Sequence, residues 1–264
     1  ILLDCANGAT YSVAPSVFSE LGATVDTIGA SPDGININQN CGSTSPDFLK
    51  EEIAEGDYDI GIAFDGDGDR ILVVSSEGTV LDGDDILYIL SKDLSNESGV
   101  IGTLMTNKAL ELYFEEQGIN FSRADVGDKY VLNALVSNKW ELGGEPSGHI
   151  ICLDAAPTGD AIIAALKLLN AIKVNDFSLE KSLDGFTRFP QTLINLKVDD
   201  PNKIILSDQF WSKVTQIEKT LGDQGRVLIR PSGTEPLIRL MVESTDTSIS
   251  ENFCNSLAEL ALEI

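Results

Sequence analysis

Short apolar runs alternate with segments of helical spacing along the first two thirds of the chain. Residues 1–4 and 24–28 predict strands, and the apolar positions from Val13 to Leu21 recur at helical spacing before Gly22 ends the pattern. Repetition of this strand–helix order predicts α/β layers with mostly parallel strand pairing.

A second unit of the same kind begins near Ser98, and its predicted helix at 158–171 has Thr158 as the expected N-cap. After Asn175 the pattern changes to strand, helix, strand–turn–strand and helix, which is typical of a small α+β domain. The predicted fold class is therefore α/β, with two successive α/β sheet domains followed by a small α+β C-terminal domain. The expected boundaries are 1–98, 99–184 and 185–264.

The chain is strongly acidic, with 18 basic and 42 acidic residues and a formal net charge of −24. A surface this negative repels nucleic acid and anionic lipid, so neither is expected as a partner. Within residues 1–100 the basic side chains are Lys50, Arg70 and Lys92. An anionic substrate must therefore be held by a few well-placed cations.

The cysteines and the longest apolar run bear on location. The four cysteines are far apart with no Cys-x-x-Cys pair, which argues against a zinc site and a disulfide framework and predicts a reduced, cytoplasmic compartment. Residues 161–169 are interrupted by Lys167 and are too short to span a membrane, so no membrane partner is expected. Because the sequence opens inside a predicted strand without Met, we expect that a segment precedes it.

The acidic loop, residues 64–70, carries the strongest chemical signal and reads Phe-Asp-Gly-Asp-Gly-Asp-Arg. A strand delivers Asp65, Asp67 and Asp69 into a tight turn in which the glycines let alternate carboxylates converge. Two carboxylates about 5 Å apart repel by roughly 3 kcal/mol at an effective dielectric constant near 20. A hard divalent cation reverses that sign, and oxygen ligands favour Mg²⁺ or Ca²⁺ over zinc.

The acidic loop has three alternative interpretations. One is a solvated acidic turn, which is less consistent with a loop held between two apolar strands. An EF-hand fails because its sixth position would be Arg70 and its twelfth Ser76. A haloacid-dehalogenase-type phosphatase, with Asp65 as nucleophile and Asp84 and Asp85 as the later acidic pair, is the runner-up. That pair follows too soon for the usual core domain to lie between them.

The histidine loop, residues 143–149, reads Gly-Gly-Glu-Pro-Ser-Gly-His. Glu145, Ser147 and His149, the single histidine of the chain, offer the mixed donors and acceptors that sugar hydroxyls need. The alternative is a turn with a capping Glu and an incidental His.

The arginine loop, residues 230–239, lies between two predicted strands. Arg230 and Arg239 can fork onto phosphate oxygens, while Ser232, Gly233 and Thr234 add hydroxyl and backbone donors. The alternative is a β-hairpin with ordinary surface arginines, which is less consistent with a chain so poor in basic residues.

Together the three loops resemble the α-D-phosphohexomutase superfamily, in the order of metal loop, sugar loop and phosphate loop. The resemblance covers nearly the whole chain. Further segments, at 32–38, 41–44, 102–107 and 126–130, are similar to the branch that acts on hexosamine phosphates. Many members have His where this chain has Ser45 and Arg where it has Lys129.

The resemblance implies a role for each loop. It implies Mg²⁺ on Asp65, Asp67 and Asp69, with Arg70 beside the metal. It implies that Glu145 and Ser147 contact sugar hydroxyls, and that the arginine loop holds the phosphate that does not react. Lys129 and His149 are candidates for proton transfer or phosphate contact.

The implied reaction is an intramolecular phosphotransfer between glucosamine 6-phosphate and glucosamine 1-phosphate, through a phosphoserine and a 1,6-bisphosphate, feeding UDP-N-acetylglucosamine and cell-wall synthesis. The family carries its phosphoserine in a Ser-His-Asn-Pro-like loop of an N-terminal domain, but here His149 follows Gly148. We therefore expect a chain that resembles the second to fourth domains and is inactive without the first. A hexose substrate, a phosphatase, a non-catalytic binding module and a homodimer stay open.

Overall fold

Three sheets contain the strands that the structure describes. The computed structural model describes residues 1–95, 97–175, 178–232 and 235–264. This part of the chain divides into two compact units, the first comprising residues 1–106 and 110–186 and the second residues 107–109 and 187–264.

The first sheet has the strand order β2-β1-β3-β4-β5. Strand β1 pairs in parallel with β2 and β3, whereas β4 and β5 add antiparallel edges. One sheet face packs on α2 through Leu49 and Ile53, and the other joins the main core through Ile62 and Val73. The elements are β1 (Leu2–Asp4), α1 (Val13–Glu20), β2 (Asp26–Ile28), α2 (Pro46–Glu55), β3 (Ile60–Phe64), β4 (Ile71–Ser75), β5 (Val80–Leu81) and α3 (Gly83–Ser91).

The second sheet, of order β7-β6-β8-β9, lies in the same unit. Strand β6 pairs in parallel with β7 and β8, and β9 returns antiparallel to β8. Helix α3 is buried along its whole length, so the main core runs through it and α6 from one sheet to the next. The elements are β6 (Gly99–Thr103), α4 (Lys108–Gln117), β7 (Asn120–Ala124), α5 (Asp128–Asn138), β8 (Leu142–Gly144), β9 (Ile150–Cys152), α6 (Ala161–Val174) and α7 (Leu179–Ser182).

The second unit contains an antiparallel sheet of order β10-β12-β11. One sheet face, with Ile238, Leu240 and Val242, packs against apolar residues of two long helices, including Phe210 and Leu257. Because successive side chains of a strand point to opposite faces of the sheet, the odd-numbered positions of β10 and β12 lie on the opposite face. The elements are β10 (Gln191–Lys197), α8 (Pro201–Ile205), α9 (Asp208–Leu221), β11 (Gly225–Pro231), β12 (Leu237–Ser244) and α10 (Thr247–Glu263).

The predicted fold class is confirmed, and most predicted elements lie within a few residues of their observed bounds. Pairing is parallel at the sheet centres but antiparallel at β3–β4 and β8–β9, because the acidic and histidine loops each close a hairpin. The N-cap prediction at Thr158 is wrong: α6 begins at Ala161, and Asp160 caps it by accepting from the amides of Ile162 and Ile163, both at 3.0 Å.

The three domain boundaries stay a prediction, because the first two sheets share one hydrophobic core. Within the described ranges, none of the helices combines the length and apolar character that a membrane crossing needs.

Candidate functional site

The acidic loop connects β3 to β4 and brings its three carboxylates together. Asp65, Asp67 and Asp69 each offer one oxygen, and these oxygens all lie within 4.8 Å of one another. Phe64 pairs with Ile71 at the base of the hairpin, so the last strand residues hold the loop ends side by side. The structure therefore brings together the three residues expected to bind a metal.

The loop backbone orients Asp65 before any ligand is present. Its Oδ1 accepts from the amides of Gly68, Asp69 and Arg70 at 3.1–3.2 Å, while its Oδ2 lies 3.8 Å from the Arg70 Nε. Burial, together with the neighbouring carboxyls of Asp69 and Asp67, raises the pKa of Asp65 to about 6, although the hydrogen bond from the Arg70 amide acts in the opposite direction. The site thus concentrates negative charge with one partly exposed guanidinium beside it.

The donor set fits a divalent cation. The Asp69 Oδ1 is buried and has no hydrogen-bond partner within the described ranges. Asp65 is buried and Asp67 is exposed, so the group faces solvent on one side only. Carboxylate oxygens alone suit a hard ion such as Mg²⁺ or Ca²⁺ rather than zinc.

The histidine loop joins the acidic loop, although the two are far apart in sequence. Arg70 and His149 form an antiparallel bridge, and the Ile71 amide donates to the Gly148 carbonyl at 3.1 Å. The Nδ1 of His149 lies 3.0 Å from the Asp69 Oδ2, and the histidine is only 4% exposed. His149 is therefore oriented by a carboxylate of the acidic group.

The remaining nitrogen of that histidine is buried without a partner. No described residue hydrogen-bonds to the His149 Nε2, and a Cβ built on Gly159 would lie 2.5 Å from it. With Asp69 ionised, a neutral His149 carries its proton on Nδ1 and keeps a lone pair on Nε2. This arrangement can accept or hold a proton next to the carboxylate group.

Glu145 and Ser147 occupy the tip of the histidine loop. The Glu145 Oε1 accepts from the Gly127 amide at 2.7 Å, just before α5, and its Oε2 accepts from the Ser147 hydroxyl at 3.3 Å. Lys129 is exposed and its Nζ lies 4.7 Å from the Tyr130 ring centre. The structure thus ties Glu145 to the start of α5 but records no contact of the Lys129 side chain with either loop in the described chain.

The arginine loop belongs to the second unit and joins β11 to β12. Arg230 and Arg239 are directly opposite each other in the antiparallel pair, and Asn195 of β10 is opposite Arg239 on its other side. No carboxylate among the described residues forms an ion pair with either guanidinium. The Ser232 hydroxyl accepts from the Glu235 amide at 3.3 Å. Gly233 and Thr234 lie outside the described residues.

Two features of this site were missed by the sequence analysis. The Ala161 amide at the start of α6 donates to the Gly68 carbonyl at 3.0 Å, so this helix supports the acidic loop. Thr10 packs against Gly68 and has a buried hydroxyl oxygen without a hydrogen-bond partner in the described ranges. Both contacts join segments distant in sequence, and no local pattern signals them.

Family models match this chain over nearly its whole length. Models of the phosphoglucomutase/phosphomannomutase family match residues 1–78 as α/β/α domain II, 82–189 as α/β/α domain III and 193–260 as the C-terminal domain. The chain belongs to the phosphoglucomutase/phosphomannomutase family, and the dehalogenase alternative is therefore set aside.

Within that family, the chain is similar to proteins named phosphoglucosamine mutase. It is 49% identical to the one from Hahella chejuensis over 264 residues, and 47% identical to one from Legionella pneumophila over 268 residues; each match covers 98% of this chain. A match to the Aeromonas salmonicida protein is 51% identical over 247 residues and covers 92% of this chain. The chain spans only 56–59% of the length of these relatives.

Solved structures agree on the fold. The N-acetylphosphoglucosamine mutase of Aspergillus fumigatus, in complex with GlcNAc-6P and magnesium, superposes with a TM-score of 0.81 at 19% identity and covers 99% of this chain and 61% of its own. A phosphoglucomutase/phosphomannomutase family protein of Burkholderia thailandensis gives a TM-score of 0.82 at 23% identity, covering 98% of this chain and 59% of its own.

Proposed function

We propose that this chain is the metal- and phosphosugar-binding part of a phosphoglucosamine mutase, an enzyme that interconverts glucosamine 6-phosphate and glucosamine 1-phosphate. The observation that carries the proposal is the convergence of three carboxylates, with one oxygen of each within 4.8 Å of the others, and with the His149 Nδ1 within hydrogen-bond distance of the Asp69 carboxylate. The names of the similar proteins support the substrate class.

Asp65, Asp67 and Asp69 would hold Mg²⁺. A bound divalent ion neutralises charge on a phosphoryl group during its transfer. The solved fungal relative, which is described with magnesium, supports this choice of ion. Arg70 lies beside the three carboxylates and is partly exposed, so its guanidinium can contact the same phosphoryl group.

The arginine loop would bind the phosphate that does not react. Arg230 and Arg239 present two forks from opposite strands, and Ser232 with Gly233 and Thr234 would add hydroxyl and backbone donors. This assignment accounts for two cations that have no ion-pair partner in the described chain.

Glu145 and Ser147 would contact sugar hydroxyls, since each combines acceptor capacity with access to solvent. His149 would hold the proton that leaves or rejoins a sugar hydroxyl during transfer, because its Nδ1 is oriented by Asp69 and its Nε2 has no partner in the described part of the chain. Lys129 would contact phosphate from the start of α5. A cytoplasmic location belongs to this proposal, since the four cysteines are free and buried.

Plain hexose phosphates are the competing substrate class. A calorimetric titration of the chain with glucosamine 6-phosphate and glucose 6-phosphate, with and without Mg²⁺, decides between them. We expect tighter binding of the hexosamine. Equal affinity for both sugars would move the assignment to a broader phosphohexomutase.

Turnover by the family reaction needs a phosphoserine, and the 264 residues contain no Ser-His pair because His149 follows Gly148. In that reaction the phosphoserine P–O bond breaks as a P–O bond to the sugar forms, and the other phosphate of the resulting bisphosphate then returns to the serine. We expect this chain alone to bind phosphosugar without isomerising it, with the N-terminal domain of the family required for turnover.

The test combines the purified chain, Mg²⁺ and a glucosamine 1,6-bisphosphate primer, and measures glucosamine 1-phosphate formed from glucosamine 6-phosphate. The expected result is binding without turnover, and appearance of turnover when the N-terminal domain of a relative is added. Turnover by the chain alone would contradict the need for a separate phosphoserine. Steady phosphate release that Asp65→Asn abolishes would instead indicate a phosphatase.

A further inference from the structure

Asp4 is a fully buried carboxylate that has no part in the site described above. It lies at the end of β1 with 0% of its surface exposed, and no basic side chain in the described ranges forms an ion pair with it. Its two oxygens accept from two different loops: Oδ1 from the Ala6 amide at 3.0 Å and Oδ2 from the Gly42 amide at 2.6 Å. A buried carboxylate with two such amide donors is well placed to join the loops.

These two loops hold the backbone on both sides of Asp65. From the first loop, residues 5–10, the Ala9 amide donates to the Gly66 carbonyl at 2.8 Å. From the second loop, residues 38–43, the Ser43 amide donates to the Phe64 carbonyl at 2.8 Å. The carbonyl groups of the residues before and after Asp65 are therefore each held by one of the loops that Asp4 joins.

Close packing makes the arrangement sensitive to small changes. A Cβ on Gly8 would lie 2.3 Å from the Gly66 carbonyl oxygen, and one on Gly42 would lie 2.7 Å from the Phe64 carbonyl oxygen. Ala6 adopts the left-handed conformation, with φ +53°, although it is not a glycine. Such a conformation persists only where surrounding contacts impose it, and the Asp4 carboxylate is one of these contacts.

We propose that Asp4 is a positioning residue for the metal site: its carboxylate joins the two loops whose amides hold the carbonyl groups of Phe64 and Gly66, the neighbours of Asp65. The proposal rests on the metal site of the proposed function. Asp4 does not touch the ion or the substrate. It acts through the loops at residues 5–10 and 38–43.

Asn cannot replace Asp4 in this role. The carboxylate accepts at both oxygens, whereas an amide side chain has one acceptor oxygen and must turn its NH₂ group toward one of the two backbone donors. One amide of the pair is then left buried and unpaired. The variant Asp4→Asn therefore breaks one connection while leaving side-chain volume almost unchanged.

The experiment measures Mg²⁺ affinity by calorimetry at a temperature where every variant is folded. We expect Asp4→Asn to raise the Kd for Mg²⁺ at least tenfold. Gly42→Ala disturbs the loop that donates to Asp4 and should raise the Kd by a similar factor. The double variant should have a Kd little higher than that of either single variant.

Two control variants separate positioning from general stability. Asp246→Asn changes an exposed aspartate whose Oδ1 accepts from both the amide and the hydroxyl of Ser248, so the single amide oxygen of Asn can accept both bonds. Phe114→Leu loosens the main core away from the acidic loop and lowers the thermal midpoint. Both should keep the Kd within twofold of the parent chain.

The outcomes are distinct. A parent chain that takes up no Mg²⁺ overturns the metal site and this proposal with it. A parent chain that binds Mg²⁺, with Asp4→Asn and Gly42→Ala binding as tightly, overturns only the role of Asp4.

Hydrogen exchange on the unaltered chain gives a measurement that needs no variant. Mg²⁺ should slow exchange at the Ala6, Ala9 and Gly42 amides as well as within the acidic loop. Slowing confined to residues 65–70 would overturn the proposal even where the variants do not fold.

Discussion

The acidic loop and the arginine loop present the same electrostatic problem with opposite sign. Three carboxylate oxygens lie within 4.8 Å in the first, and two arginines are directly opposite each other in the second. Like charges this close are unfavourable until a ligand of opposite charge binds between them. In both loops the repulsion between like charges therefore indicates a ligand of the opposite charge.

The two loops differ in how the charges are held. In the acidic loop, short side chains are fixed by backbone contacts, with three amides on Asp65 and a helix amide on the Gly68 carbonyl. In the arginine loop, long side chains extend from a strand pair, and Arg239 is exposed. A small ion requires a preformed cage, whereas a phosphate can be gripped by flexible forks.

The largest expected effect is on the face of the second-unit sheet that lies opposite its hydrophobic core. Arg226 contacts the fully buried Glu243 through two nitrogens, at 2.7 and 3.0 Å, on the same face as Arg239. Arg226→Met leaves this buried carboxylate without its cation, although the Lys108 amide still donates to it at 2.9 Å, and should lower the unfolding free energy by about 3–5 kcal/mol. Arg239→Met is the matched control and should stay within about 0.5 kcal/mol. Urea unfolding followed at Trp211 measures the unfolding free energy of both variants. Equal destabilisation would contradict the expected difference between Arg226 and Arg239.

Asp67→Ala removes the exposed member of the acidic group and should weaken Mg²⁺ binding at least 100-fold, about 2.8 kcal/mol. Without Mg²⁺, the variant should melt no lower than the parent chain, because one repulsive carboxylate is gone. Calorimetric titration and melting curves give both results. Asp47→Ala, at an exposed aspartate of α2, is the control, and Mg²⁺ uptake by Asp67→Ala equal to that of the parent would exclude the site.

Arg239→Lys tests the other loop. A lysine keeps the charge but loses the planar fork, so we expect glucosamine 6-phosphate to bind roughly tenfold more weakly, or about 1.4 kcal/mol. Arg230→Ala should weaken binding by at least as much. Titration calorimetry measures the affinities, with Lys219→Ala, at an exposed position of α9, as the control. Unchanged affinity in both arginine variants would show that the phosphate binds elsewhere.

The smallest effect concerns the helix that supports the acidic loop. Asp160→Ala removes two hydrogen bonds to amides of α6 and should cost about 1 kcal/mol of unfolding free energy. Thr158→Ala, at the residue first expected to be the cap, should stay within about 0.5 kcal/mol. Urea unfolding followed at Trp140 compares them, and the reverse order would restore Thr158 as the cap.

The wrong N-cap prediction at Thr158 shows what the local sequence pattern does not encode. Thr158 and Asp160 are both residue types that cap helices, so the sequence offers two starts within three residues. The structure selects the later one, where the first helical amide, that of Ala161, meets the Gly68 carbonyl. That carbonyl lies in a hairpin far away in the sequence, so the residues around the helix start do not reveal it.

Asp4 was missed for a related reason. At the end of a short apolar strand it gave no chemical signal, because a single aspartate there usually faces solvent. Its burial arises only when the loops at 5–10 and 38–43 close over it. The acidic loop was predictable by contrast, because its three aspartates lie within five residues and must be near one another in any turn.

The sequence by itself determined the alternation of strands and helices and the three loops, and it suggested the kind of ligand that we propose for each loop. These depend on interactions between residues a few positions apart, which periodicity and residue type encode directly. Only the tertiary structure decided that His149 meets Asp69, that Arg230 is opposite Arg239 and that Asp4 joins two loops. Such contacts depend on strand order and register, which are set by the packing of the whole core rather than by any local segment.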